Sequence, residues 1–384
     1  MSIGPIVDVG AELTAEQSLR YSRHLSLSEI GPDGQRRIAN ARVLCIGAGG
    51  LGAPALLYFA AAGVGTIGIV EYDDVDATNL QRQVIHGVAD VGRSKAQSAR
   101  DSILEINPDA RVRLHEVRMD HTNAQQIFAD YDLVLDGTDN FATRYLVNDA
   151  CVLAGKPYVW GSILGFRGQL SVFWDAAPGG GRNYRDLFPT PPPPGSVPSC
   201  SEAGVLGAIC GTMGSLMAVE ALKLITGVGD VLLGRVLTFD AMTMAFRTLE
   251  FGKNSAAEAI TSLRDYDEYC GVPATAQNDA ITPTQLHELL HDETGLLLLD
   301  VREPFEAQIV QIPGSTLIPH TALLDGTRTV PAAKDDPIVV YCKSGGRSAK
   351  VADYLREHGF THVDDLAGGV LAWVDDIEPA GQKY

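Results

Sequence analysis

The stretch Val43-Leu44-Cys45-Ile46-Gly47-Ala48-Gly49-Gly50-Leu51-Gly52 restricts the folds open to this chain more than any other. Its apolar half predicts a buried strand, and Gly47, Gly49 and Gly52 follow in the spacing G-x-G-x-x-G. The apolar run from Ala53 to Ala60 predicts a helix, with Pro54 tolerated because it falls in the first turn. The glycines permit a tight turn and bring backbone N–H groups and a helix N-terminus up to a phosphate. The expected fold class is α/β, with a Rossmann-like nucleotide-binding domain. Taken alone, the motif says only that a nucleotide binds, and a nicotinamide-dependent oxidoreductase is its default reading.

The residues that follow displace that default. Ile67-Gly68-Ile69-Val70-Glu71 predicts a second strand, ending in an acid where a ribose hydroxyl is held in such folds. Next comes Asp73-Asp74-Val75-Asp76-Ala77-Thr78-Asn79-Leu80-Gln81-Arg82-Gln83, with Lys95 opening a helix predicted over 94–106. A nicotinamide pyrophosphate needs no paired cations, because the glycine loop and helix dipole suffice. A triphosphate under attack needs its oxygens neutralised and its leaving group held, and Arg82 and Lys95 can supply both. Val112 to Val117 alternates as a strand, with His115 expected at the surface. Leu133-Val134-Leu135-Asp136 is another strand, opening into Gly137-Thr138-Asp139-Asn140. Ligands of doubly wound sheets lie at the carboxyl ends of strands, which places Asp136 and Asp139 near the phosphates. Asp139 can hold Mg²⁺ and can also cap the next helix.

Strands are expected over 158–164, 169–174, 235–240 and 245–251, giving the first domain a mixed sheet. Residues 14–38 read as a polar helix whose Arg20-Tyr21-Ser22-Arg23 lies on a solvated face. Gly204 to Leu222 is apolar enough to suggest a membrane span, but its glycines, Glu220 and Lys223 favour a buried helix. A long loop rich in proline and glycine carries Cys200 just ahead of that helix, where the N-terminal field lowers a thiol's pKa. Cys45, Cys151 and Cys210 lie in apolar elements and read as packing residues. The net charge of −18 argues against nucleic acid or an anionic membrane as partner. None of the six cysteines forms a C-x-x-C pair, and the first residues carry no secretory pattern, so a cytoplasmic protein with free thiols is expected. The boundaries read as a first domain over 1–252, a polar linker over 253–279 and a second α/β domain over 280–384.

In that second domain Ile338-Val339-Val340-Tyr341 predicts a buried strand, followed by Cys342-Lys343-Ser344-Gly345-Gly346-Arg347-Ser348 and a helix. Backbone N–H groups of such a ring converge on the sulfur, and Arg347 adds a cation, both favouring a thiolate. Protein phosphatases surround phosphate with C-x-x-x-x-x-R. This ring is one residue shorter and better sized for a single sulfur, so a persulfide is the expected cargo.

Together Arg20-Tyr21-Ser22-Arg23, Gly47 to Gly52, Asn79 to Gln83, Lys95 and Thr138-Asp139-Asn140 resemble the MoeB/ThiF family, relatives of the ubiquitin-activating enzymes, over nearly all of 13–271. Cys342 to Ser348, with 298–303, Ile312-Pro313-Gly314 and 366–373, looks like a rhodanese domain, and the order of the two resembles a MoeZ-type fusion. The resemblance implies that ATP adenylates the C-terminal Gly-Gly carboxylate of a ubiquitin-like sulfur carrier of the MoaD, ThiS or CysO kind, and that sulfur then makes a thiocarboxylate. It implies that Gly47, Gly49 and Gly50 line the nucleotide, Glu71 the ribose, Asn79, Arg82 and Lys95 the phosphates, and Asp139 the magnesium. Arg23 would reach into a neighbouring subunit of a homodimer, Cys342 would carry the persulfide, and Cys200 would resolve the acyl intermediate. The sulfur donor would be thiosulfate or a cysteine-desulfurase persulfide, and the pathways molybdenum cofactor or thiamine biosynthesis. Two departures stand out. Many family members bind zinc through two C-x-x-C pairs; here the first place holds Asn183-Tyr184-Arg185-Asp186 and the second keeps only Cys270 with Asp267, so no zinc site is predicted. Glu71 stands where aspartate is common. The competing readings are an oxidoreductase with an appended rhodanese, opposed by Arg82 and Lys95, and a non-enzymatic scaffold for carriers, opposed by the filled set of charged positions.

Overall fold

The computed structural model describes residues 3–193, 196–197, 204–271, 280–291, 295–379 and 381. The chain divides into two compact units, Met1–Pro273 and Ala274–Tyr384. In the first, strands β1 (Arg42–Ile46), β2 (Thr66–Val70), β3 (Arg111–His115), β4 (Leu133–Asp136), β5 (Tyr158–Leu164), β6 (Arg167–Phe173), β7 (Arg235–Asp240) and β8 (Ala245–Glu250) form one sheet. Their order is β3-β2-β1-β4-β5-β6-β7-β8. The first five are parallel and the last three join antiparallel, the mixed sheet expected.

Every residue of β2 and β4 is buried, because helices cover both faces of the parallel part. The pleat divides β1 between two cores. Val43 and Cys45 join the one that includes Leu56, Phe59, Met213 and Met217, while Leu44 and Ile46 join Tyr145, Tyr158, Trp160 and Phe173 on the other face. Helix Gly207–Thr226 has the length and apolarity of a membrane span, yet 56% of its apolar window is buried against the sheet and helix Gly52–Ala62. Gly214 makes that crossing possible, since a Cβ there would lie 2.4 Å from both Leu51 O and Pro54 Cγ.

Four expectations change. The helix read over 14–38 is broken into Ala15–Arg20, Ser22–Leu25 and Gly31–Asn40, because the chain turns over 26–30 before Pro32 starts a new first turn. Tyr21 is not solvated: its ring abuts Gly63 and its hydroxyl accepts from Asn107 at 3.0 Å. The stretch from 253 is no free linker as far as Gly271, for Tyr266 and Cys270 are buried in the first unit's aromatic core. His115 is half-buried, its ring 2.7 Å from the Tyr131 hydroxyl.

The second unit is a parallel sheet in the order β11-β10-β12-β13-β9, from β9 (Ala280–Ile281), β10 (Leu297–Asp300), β11 (Thr316–Leu317), β12 (Ile338–Tyr341) and β13 (Val363–Leu366). The central strand β12 is wholly buried, and Cys342 follows its last residue.

Candidate active site

The strand order reverses between β1 and β4, whose carboxyl ends, Ile46 and Asp136, lie side by side in register. The crevice beyond such a reversal is where ligands of open parallel sheets bind. Gly47 leaves β1 at φ +89°, and a Cβ on Gly52 would fall 2.0 Å from Gly47 O, so the turn into helix Gly52–Ala62 admits no side chain at that position.

Glu71, buried at the end of β2, fixes this loop. Its Oε2 accepts from Ala48 N at 3.0 Å, and its Oε1 accepts from Tyr72 N at 2.9 Å and Asp73 N at 3.0 Å. Oε2, which accepts one bond, keeps a lone pair for a hydroxyl, and the length of Glu71 lets one carboxylate hold both the glycine turn and its own strand end. Asn79 ends a short 3-10 helix, Ala77–Asn79, capped by Asp76, which accepts from Thr78 N at 2.7 Å, and Arg82 lies in the turn that follows. Arg82 donates to Thr78 O at 3.0 Å, and its Cδ lies 3.9 Å from the Cβ position of Gly50. Lys95, capped into its helix by Ser94, donates to Asp73 Oδ2 at 3.1 Å. Gly47, Gly49, Gly50, Glu71, Asn79, Arg82 and Lys95 therefore gather at one edge of the sheet.

Asp139 follows β4 onto the same edge and is exposed. It is not the helix cap expected: Asn140 takes that role, accepting from Thr143 N at 2.8 Å, which leaves the Asp139 carboxylate to the crevice. Asp136, read with Asp139 as lying near the phosphates, does not open to solvent as Asp139 does. It is fully buried, its Oδ1 accepts from Thr138 N and Oγ1 at 3.0 and 2.7 Å, and burial pushes its pKa up. It shapes the turn that presents Asp139. Arg23 is outside the crevice within one chain. It is exposed beside Tyr21, whose neighbours Gly63 and Asn107 belong to the amino-terminal edge of the sheet.

Four residues that sequence reasoning passed over complete the site. His86 is buried between the Ala48 carbonyl (3.2 Å from Nε2) and the Ser98 hydroxyl (2.8 Å from Nδ1), and burial lowers its pKa. Gln83 is buried, with Nε2 3.6 Å from the Cβ position of Gly49 and Oε1 unpartnered. Arg144 donates to Thr138 O and Ser162 Oγ, bracing the Asp139 turn. Asp73 pairs with Lys95. Of these only Gln83 and Asp73 had a signal, lying in the quoted run 73–83; His86 and Arg144 sit in segments with no motif of their own.

The place of the first C-x-x-C pair holds a buried ionic brace. Arg185 donates through Nε and Nη2 to both oxygens of Asp149 at 2.9 and 2.7 Å, and through Nη1 to the Tyr269 hydroxyl at 2.6 Å. Tyr266 adds a bond to Asp149 at 2.7 Å. Asp267 pairs with Arg118 at 2.6 Å, and burial pushes the Cys270 thiol up to about 11. Among the described residues no group of three His, Cys, Asp or Glu has metal-holding geometry. Burial also raises the Cys45 and Cys151 thiols, in keeping with packing roles. Cys200 lies outside the described residues.

In the second unit, Gly345 takes φ +105° so that its N–H donates to Cys342 Sγ at 3.1 Å, and the Ser348 hydroxyl lies 3.5 Å from the same sulfur. This is the ring anticipated, with one change. Arg347 donates to both Glu306 oxygens at 2.6 and 2.7 Å, so its charge is balanced by a carboxylate rather than left to the sulfur. The Gly345 N–H donates to Cys342 Sγ, while the Ser348 hydroxyl, 3.5 Å from the sulfur, also reaches Gly345 O at 2.9 Å.

The ThiF family model matches residues 21–259 and the rhodanese-like domain model matches residues 282–376. The chain is 56% identical to the Mycobacterium tuberculosis protein named "Probable adenylyltransferase/sulfurtransferase MoeZ", over all of this chain and 99% of that one. It is 40% identical to "Adenylyltransferase and sulfurtransferase MOCS3" of Drosophila ananassae, over 97% of this chain and 87% of that one. Among solved structures, E. coli MccB shares the fold with a TM-score of 0.57 at 21% identity, over 66% of this chain and 74% of MccB. PaaA does so with 0.54 at 19% identity, over 63% and 76%. A glycine turn ringed by cations in one unit and a sulfur-bearing ring in the other thus coincide with the two matched models, and the chain belongs to the ThiF family with a C-terminal rhodanese-like domain, an adenylyltransferase and sulfurtransferase.

Proposed function

We propose that this enzyme uses ATP to adenylate the C-terminal Gly-Gly carboxylate of a ubiquitin-like sulfur carrier of the MoaD, ThiS or CysO kind, and then replaces the adenylate with sulfur carried on Cys342. The observation that carries this reading is the placement of Arg82 and Lys95 beside the glycine turn at the strand reversal. A bound dinucleotide would leave both charges without a task, whereas pyrophosphate leaving under carboxylate attack needs them. E. coli MccB, of the same fold, has been crystallised with ATP.

In this reading the backbone of Gly47, Gly49 and Gly50 cradles phosphate, Glu71 accepts from the ribose, and Asn79, Arg82 and Lys95 meet the polyphosphate. Asp139 suits Mg²⁺, being an exposed hard-oxygen donor at the phosphate edge with phosphate oxygens to complete the shell. When bound, the ion would neutralise charge on those oxygens. The carrier carboxylate bonds to the α-phosphorus as the bond to pyrophosphate breaks. The terminal persulfide sulfur of Cys342 then attacks the acyl carbon and AMP leaves, and Cys200 attacks the Cys342 sulfur to free the thiocarboxylate, forming a disulfide that a thiol reductant resets. Thiosulfate or a cysteine-desulfurase persulfide recharges Cys342. The exposure of Arg23 away from its own crevice supports a homodimer in which it serves the neighbouring copy. The free thiols suit the cytoplasm, and the thiocarboxylate product suits molybdenum cofactor or thiamine biosynthesis.

Incubation with ATP, thiosulfate and each candidate carrier, followed by intact-mass measurement of the carrier, tests the reading. The expected result is a gain equal to exchanging one oxygen for sulfur. Carriers that all keep their mass, with no ATP–pyrophosphate exchange, would refute it.

A further inference from the structure

Lys95 brings its own counter-ion to the site. Its side chain is 9% exposed, and Nζ donates to Oδ2 of Asp73, whose side chain is 55% exposed. The backbone ties the same two residues together: Lys95 N donates to Asp73 O at 2.9 Å, and Asp74 and Ser94 form an antiparallel bridge. Asp73 N in turn donates to Glu71, whose other oxygen holds Ala48 of the glycine turn. The Asp73 carboxylate is thereby fixed on the framework that shapes the phosphate loop. It sits against the ammonium from the solvent side, where a polyphosphate oxygen would otherwise approach.

We propose, resting on the ATP-site reading above, that Asp73 is a positioning residue that competes with polyphosphate for Lys95. With the site empty it holds the ammonium in the crevice. When triphosphate binds, Lys95 exchanges one oxyanion for another, so the net attraction in the ground state is reduced. As pyrophosphate departs, Asp73 takes the ammonium back. An unopposed Lys95 would bind substrate and product more tightly, and tightening that is uniform along the reaction does not raise turnover. A lysine ammonium is a compact, rotatable charge on a flexible stem, well suited to exchanging partners in this way.

The test is equilibrium binding of pyrophosphate to the full-length protein by calorimetry, with steady-state thiocarboxylate formation alongside. The isosteric substitution Asp73→Asn is expected to tighten pyrophosphate binding about fivefold, the upper range for a partly exposed pair, and to lower KM for ATP together with kcat. In a Lys95→Ala background the same substitution is expected to shift binding less than twofold. Tightening of equal size in both backgrounds would mean that only a nearby negative charge was removed, and would overturn the inference. So would unchanged or weaker binding by Asp73→Asn, the result of a purely structural role. Failure of the unaltered protein to bind pyrophosphate would overturn the ATP-site reading and this inference with it. Normal binding that ignores Asp73→Asn would overturn this inference alone.

Discussion

The imidazole of His86 makes both of its bonds in the neutral form, with hydrogen on Nε2 donated to Ala48 O and Nδ1 accepting from Ser98. Burial is the main cause that lowers its pKa from 6.5, with the Lys95 charge adding to it. The sign follows from linkage. Above 6.5 neither the folded nor the unfolded chain protonates His86, and its stabilising contribution is complete. As pH falls below 6.5 the unfolded chain takes up a proton that the folded site resists, and the contribution is lost through the lowered folded value. The folded site stays neutral until the lowered value is reached, where a protonated Nδ1 can no longer accept from Ser98, so nucleotide affinity is expected to hold just below 6.5 and to fall at more acid pH, and His86→Gln is expected to flatten that fall. A titration of ATP-analogue binding against pH in both proteins checks this; parallel profiles would contradict it.

At the scale of elements, the Arg185 brace joins helix Phe141–Ala154, the turn at 183–186 and helix Tyr266–Tyr269 through two side chains that are 4% and 2% exposed. The tyrosine rings of 145 and 269 lie 5.2 and 5.0 Å from its guanidinium carbon. Removing one partner would strand the other's charge in the core, so Asp149→Ala is expected to destabilise the first unit by about 3–5 kcal/mol. Chemical denaturation followed by the fluorescence of Trp160 and Trp174, both in the first unit, measures this. Loss of less than about 1 kcal/mol would show that the brace is screened like a surface pair. This element was the least legible in the sequence. Asn183 to Asp186 was readable as the place where cysteines were missing, but that Arg185 reaches Asp149, thirty-six residues earlier in the chain, is a tertiary fact with no local signal. Strands fared differently. Leu133–Asp136, Tyr158–Leu164 and Arg235–Asp240 match their expected bounds because an apolar or alternating run meets polar or glycine residues at each end. The 14–38 segment misled because its polar periodicity is helical while residues 26–30 turn the chain.

For the whole molecule, two units of different chemistry imply a divisible reaction. The groups proposed to meet phosphate, Arg82, Lys95 and Asp139, belong to Met1–Pro273, and Cys342 with its ring belongs to Ala274–Tyr384. The motif residues were legible as a pattern because they stand at short, fixed spacings in the chain. The groups that brace these segments, His86, Arg144 and Glu306, were not, because their bonds reach residues distant in the chain and leave no local pattern. The most direct measurement is carrier-dependent ATP–pyrophosphate exchange by Cys342→Ala and Arg82→Ala in the full-length chain. The account predicts that Cys342→Ala exchanges at the unaltered rate while forming no thiocarboxylate, and that Arg82→Ala loses exchange by about a hundredfold or more, as when a transition-state donor is removed. Exchange abolished in Cys342→Ala, or undiminished in Arg82→Ala, would contradict it.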